Sequence, residues 1–211
     1  MKKMRMWLLA GLLLCGVGTS FAQSRDMVRF GIGLDMTANR ITNYYSNETC
    51  GRIGVNVGLK VDVNFTDNIY LGTGFQYAQK GAKKSKDGVT YKANPGYLTI
   101  PVRVGYRYDF NDKVGVFGEF GPYFAVGVGG KNKWEAGPYD EDKDFFGDTD
   151  EGYAKRFDCG LGIHFGVELI KHLQIGLGYD FGLVKMYNNA WVDDDNNSRN
   201  GSFRFGVAWM F

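Results

Sequence analysis

The chain is poor in residues that several protein classes depend on. It has 4 Pro, 3 Cys and 2 His in 211 residues, and its formal net charge is only +2. So even a balance offers no electrostatic footprint for a polyanion, which excludes nucleic acid as a partner. Beyond the first twenty residues no apolar run approaches the roughly twenty needed for a transmembrane helix. Runs of Ala, Leu, Glu and Lys that would build helices are also missing there. With His164 and His172 as the histidines, acid–base chemistry has few candidates. No cofactor motif is present, and none is expected.

What is abundant is glycine and aromatic side chains, with 31 Gly and 16% Phe, Trp and Tyr. That combination belongs to strands that must curve. Alternation is the dominant pattern. From Arg52 to Phe65, Ile53, Val55, Val57, Leu59, Val61, Val63 and Phe65 alternate with polar or small residues. A period of two assigns each set to one face of a strand and leaves no room for a helix. The same signal recurs over Val28 to Met36, Ile69 to Ala78, Tyr97 to Phe110, Val114 to Val128, Arg156 to Ile170, Leu173 to about Lys185, and Gly201 to Phe211. The reading is an all-β, eight-stranded antiparallel up-and-down barrel.

The start of the chain has the layout of an export signal. Lys2, Lys3 and Arg5 precede an apolar stretch from Met6 to Gly18, and Thr19-Ser20-Phe21-Ala22 offers a small-residue cleavage site. Residues 1–22 are therefore expected to be a signal peptide and residues 23–211 the barrel domain. Leu14 stands where a lipidated Cys15 would need a small residue, so lipidation is not expected. Cys50 and Cys159 are read as unpaired thiols.

Connections alternate in length. Thr66-Asp67-Asn68, Asn111-Asp112-Lys113 and Lys171-His172 are tight turns, whereas 38–51, 80–95, 130–154 and 186–200 are long and charged. Short turns at one end and long loops at the other are the pattern of outer-membrane barrels, and an even strand number puts both termini at the short-turn, periplasmic side. A soluble lipocalin-type barrel has the same alternation with its faces exchanged. The polar phase decides against it, because it mixes glycines such as Gly31, Gly33, Gly54, Gly58, Gly72, Gly74, Gly160, Gly162, Gly176 and Gly178 with charges of both signs. Small residues beside opposite charges suit a crowded interior. The expected interior network is Arg29, Asp35, Lys60, Asp62, Arg103, Arg107, Glu119, Asp158, His164, Glu168, Asp180 and Arg204.

The last strand places Phe203, Phe205, Val207, Trp209 and Phe211 on one face. It resembles the C-terminal signal strand that the barrel-assembly machinery of the bacterial outer membrane reads. The segment Gly96-Tyr97-Leu98-Thr99-Ile100-Pro101-Val102-Arg103-Val104-Gly105-Tyr106-Arg107-Tyr108 is similar to the tyrosine-leucine-x-isoleucine-proline strand of the small outer-membrane β-barrel domain often called the porin family, or PorT-like. That resemblance implies assembly in the outer membrane among lipid and lipopolysaccharide, not a pore. Pro101 removes a ladder donor and is expected where pairing tolerates its loss.

Eight strands enclose space for side chains or one small ligand. The charged interior is therefore read as structural, with a narrow ion path through Arg103, Arg107, Glu119 and Glu168 as the alternative. A lipid-modifying enzyme would need His164, which lacks a nearby serine in sequence. Function is expected in the loops, toward a surface or envelope protein partner. Lys80, Lys83, Lys84 and Lys86 would meet lipid phosphates. Trp134, Tyr139, Phe145, Phe146 and Trp191 are candidate exposed aromatics. Asp193, Asp195 and Asn197 mimic a calcium loop, but Ser198 replaces its glycine and Arg204 its closing glutamate, so no metal site is expected. Aromatic girdles are expected at Phe65, Tyr70, Tyr108, Phe110, Trp209 and Phe211 at one end, and at Tyr97, Trp134, Tyr187 and Trp191 at the other.

Overall fold

The computed structural model describes residues 26–42, 51–86, 89–136, 139–146, 154–185 and 199–211. Ten strands run β1 (Val28–Thr42), β2 (Gly51–Asn64), β3 (Ile69–Gln79), β4 (Ala82–Lys86), β5 (Val89–Asp109), β6 (Val114–Ala136), β7 (Tyr139–Asp144), β8 (Phe157–Leu169), β9 (Leu173–Gly182) and β10 (Arg199–Met210). Eight of them form the barrel. Neighbours pair antiparallel in the order β5-β3-β2-β1-β10-β9-β8-β6, and the β5–β6 pairing closes the ring. The final strand meets the first from Gly31 opposite Met210 to Thr42 opposite Arg199, and Phe211 N–H donates to Phe30 C=O at 2.7 Å.

Two strands were not expected. β4 and β7 lie in segments read as loops, and they pair with overlong β5 and β6 to carry a four-stranded sheet beyond the barrel. Their polar sequences lack the apolar alternation that marks a membrane-facing strand, because they cross no hydrocarbon.

The faces of the barrel are those of a membrane protein. Phe30, Ile32, Leu34 and Met36 of β1 are all more than half exposed on the outside, whereas Arg103, Glu119 and Arg204 are about 5% exposed or less on the inside. In water that inversion would be prohibitive; in hydrocarbon it is what burial requires. A lipocalin-type arrangement is thereby excluded. Phe65, Tyr106, Tyr108, Phe110, Trp209 and Phe211 are likewise exposed at the short-turn end.

Turn chemistry explains the short connections. Asn111 Oδ1 accepts from the Lys113 and Val114 amides at 2.8 and 2.9 Å, and Thr66 Oγ1 accepts from Ile69 N–H at 2.9 Å. The third turn centres one residue earlier than the sequence suggests. Ile170 and Lys171 both take positive φ, 49° and 62°, and His172 N–H closes onto Leu169 C=O at 3.0 Å, a type I′ geometry without glycine. Pro101 sits where the β3–β5 ladder is interrupted, between Thr73–Val102 and Gln76–Thr99. The carbonyl of Pro101 is taken by Thr73 Oγ1 at 2.8 Å.

Candidate functional site

Alternation sends one side chain in two toward the barrel axis, so eight strands with matched registers stack their inward residues in tiers. At the short-turn end, Arg107 Nη2 donates to Asp62 Oδ2 at 2.7 Å and its Nε lies 3.3 Å from Glu168 Oε2. Arg29 Nη1 reaches the same Glu168 oxygen at 3.2 Å, and Gln174 donates to it at 2.7 Å. The Arg107 guanidinium also lies 4.2 Å from the Tyr70 ring centre.

The next tier centres on Glu119. It accepts from Lys60 Nζ at 2.7 Å and from the Tyr70 hydroxyl at 2.8 Å, with Arg103 Nη1 at 3.9 Å. Above it, Asp180 gathers Arg103 at 3.4 Å, Arg204 at 3.2 Å and His164 Nε2 at 3.1 Å. Arg204 also binds Asp35 and donates to Gln76 Oε1 at 3.0 Å. The uppermost tier holds Asp158, which accepts from Lys80 Nζ at 2.9 Å, Asn200 at 3.0 Å and the Tyr123 hydroxyl at 3.4 Å.

Of the residues named from the sequence, Arg29, Asp62, Arg107 and Glu168 share one tier, Lys60, Glu119, Arg103, Asp180, His164, Arg204 and Asp35 are linked through the next two, and Asp158 pairs with Lys80 apart from them. Their charges do not cancel by themselves; Lys80 supplies the missing cation. It was expected in a basic loop facing lipid phosphates, yet it is 6% exposed and its ammonium lies between the rings of Tyr97 and Tyr123, 5.2 and 4.7 Å from their centres. An amine that far from water needs an anion and π faces, and finds both. Tyr70 and Tyr97 are corrections of the same kind, since both are fully buried inside and belong to no girdle.

Near Lys80 an apolar cluster of Ala93, Tyr97, Tyr123, Ala125, Phe145, Phe146 and Ala154 packs at the long-loop end on the β5–β6 side. Phe146 meets Tyr97 edge-on at 5.4 Å and Phe145 at 4.9 Å. These phenylalanines pack on each other, the commoner arrangement for loop aromatics, rather than standing exposed to a partner. The side chains of Lys83, Lys84, Lys86, Trp134 and Tyr139, together with Cys50, Tyr187, Trp191, the Asp193–Asn197 segment and the signal region, lie outside the described residues. Cys159 is a free thiol.

Two interior cavities bounded by described residues are small. A cavity of about 70 Å³ is bounded by Lys60, Gln76, Arg103, Glu119, His164 and Arg204, and a second of about 10 Å³ lies nearer the mouth beside Lys80 and Thr99. Such volumes suit water molecules rather than a solute. His164 faces Asp180 and the two arginines, and the Ser202 hydroxyl is committed to Asn39 Oδ1 at 2.7 Å.

This fold and its residues match a family model, the outer membrane protein beta-barrel domain, over residues 21–188. The chain belongs to that family. Members of the family sit in the bacterial outer membrane, and this barrel presents its apolar wall to the lipid there. Among solved structures it is similar to Ail, the attachment invasion locus protein of Yersinia pestis, at 15% identity over 87% of this chain and 97% of that one, with a TM-score of 0.43. Neisserial surface protein A gives 14% over 86% and 97%, with a TM-score of 0.48. The outer membrane enzyme PagL gives 14% over 84% and 97%, with 0.45. No curated protein matches the sequence.

Proposed function

We propose that this outer-membrane barrel is a sealed anchor. In this reading its interior charge network holds the wall together and its long-loop end is offered to a surface or envelope protein partner. The observation that carries the reading is occlusion. From Arg29 to Asp158 ion-paired tiers crowd the axis, and the aromatic cluster at Phe145 and Phe146 packs at the long-loop end. A water-filled conduit would need a continuous lumen, and the interior cavity bounded by Lys60, Arg103 and Glu119 is about 70 Å³.

A lipid-modifying activity has less support, because lipid chains lie against the outer wall while His164 points to the axis, held by Asp180. The protein is therefore read as a non-enzyme. Residues 1–22 serve export and are removed, the termini face the periplasm, and the aromatic face of β10 is what the assembly machinery recognises. That face, Phe203, Phe205, Val207, Trp209 and Phe211, is turned outward where such a reader has access.

Single-channel recording of the refolded residues 23–211 in a planar bilayer tests the reading, with Glu119→Gln alongside. A folded barrel that passes no steady current supports the sealed anchor. Steady current that changes in Glu119→Gln replaces it with a narrow channel.

A further inference from the structure

We propose that a groove in the outer wall at Gly118 holds one acyl chain of an anionic phospholipid, in the leaflet nearer the short-turn end. The assignment of that leaflet to phospholipid rests on the periplasmic orientation proposed above.

The groove follows from parity. Phe117 and Glu119 point to the axis, so Gly118 between them faces the membrane. Gly54, Gly58, Gly72, Gly74, Gly160 and Gly162 all occupy the inward phase, where they make room for charged side chains. Gly118 stands on the other one. Its ladder neighbours are Tyr106 and Phe165, and the next outward row is Val104, Phe120 and Ile163. Each of these large side chains is exposed, and Gly118 contributes only a hydrogen among them. The result is a groove of about 440 Å³, lined by Ile69, Val104, Tyr106, Phe120, Ile163 and Phe165. Its floor is open, for a Cβ at Gly118 would meet nothing closer than the His164 carbonyl oxygen at 3.9 Å.

Hydrocarbon is the occupant that fits. The groove lies in the lipid-facing belt and its side walls are apolar. A second barrel would bring a convex wall whose side chains sit at fixed ladder spacings, ill-suited to enter a slot one residue position wide. A flexible acyl chain fills it, and filling an apolar gap recovers dispersion contacts that would otherwise be lost.

The headgroup has a partner at the correct depth. Gly118 lies five residues up β6 from Lys113, about 16 Å along the strand. At a tilt of about 40° that is roughly 12 Å along the membrane normal, within one hydrocarbon leaflet. Lys113 is exposed in the turn that joins β5, one wall of the groove, to β6, which carries Gly118. Its neighbour Asp112 faces Lys171 Nζ at 3.1 Å across the adjoining turn.

The test uses residues 23–211 in phosphatidylglycerol vesicles doped with phosphatidylglycerol that carries a mid-chain diazirine, followed by photolysis and peptide mapping. Label is expected at Tyr106, Phe120 and Phe165 several-fold above Ile32 and Leu34 on the opposite wall. Gly118→Leu is expected to bring it down to the opposite-wall level, Gly118→Ala part of the way, and Lys113→Gln part of the way. Equal labelling of both walls in wild type overturns the proposal while leaving the membrane barrel intact. So does labelling unchanged in Gly118→Leu, or a dimer that shields this wall. Absence of label on the whole outer wall would overturn the lipid-facing reading itself, and the proposal with it.

Discussion

Lys80 Nζ lies 2.9 Å from Asp158 Oδ2, so the residue that follows β3 is tied across the lumen to β8, with which β3 shares no ladder. Both partners are buried, and removing one leaves the other charge uncompensated. Lys80→Met is expected to destabilise the barrel by about 3–5 kcal/mol. Adding Asp158→Asn should recover most of that loss, because the amide oxygen can still accept from Asn200 and Tyr123. Urea unfolding in detergent, followed by the change in electrophoretic mobility on boiling, measures both; equal midpoints for the single and double variants would contradict the pairing.

Gly105 and Gly118 predict opposite responses to the same substitution. Gly105 is the ladder partner of Tyr70, and a Cβ there would overlap the Tyr70 ring. Gly105→Ala should therefore cost about 1–3 kcal/mol by overpacking. Gly118→Ala meets open space and should be neutral or slightly stabilising. Unfolding midpoints of the two variants that did not differ would refute this assignment of inward and outward faces.

The Ile170–Lys171 turn holds a β-branched residue at φ 49°. Left-handed backbone costs an L-residue about 1–2 kcal/mol, and asparagine relieves much of it. Ile170→Asn should raise stability by about 1 kcal/mol, with Ile170→Val unchanged as control. A stability loss in the asparagine variant would show that Ile170 matters more as a membrane contact than as a turn residue.

Val57 is midway along β2 and about half exposed to the outside. Val57→Arg should cost about 2–4 kcal/mol when unfolding is measured in phospholipid bilayers. Neutral behaviour would mean this face does not meet hydrocarbon.

Most of the barrel was readable because parity is a strong signal in a wall with one wet side and one oily side. Every inward charge named from the sequence obeys it. The departures lie where local position along the chain and parity point to different faces. In β3, Gly72, Gln76 and Ala78 share a phase that extends back to Tyr70 and forward to Lys80, and both residues follow it inward. Tyr97 shares its phase with Thr99 and Arg103 in the same way. Aromatic residues near strand ends suggested girdles, and lysine near a loop suggested lipid phosphate, but local position yielded to alternation. β4 and β7 had no comparable signal, since a strand pairing above the membrane need not bury either face in oil. Partner identity across the lumen was also illegible, because it depends on barrel closure between residues remote in sequence.

That remoteness bears on how the barrel can enter a membrane. Arg29 and Glu168 are 139 positions apart, and Ser202 and Asn39 are 163 apart. A half-inserted sheet would expose Arg29, Asp35 and Lys60 to hydrocarbon before their counterions on later strands arrived, at a cost of several kcal/mol for each unpaired charge. Strand-by-strand insertion is thus penalised at every intermediate stage. The chain is built to cross the bilayer as one event, with curling of the sheet and neutralisation of its lumen completed together when β10 zips onto β1.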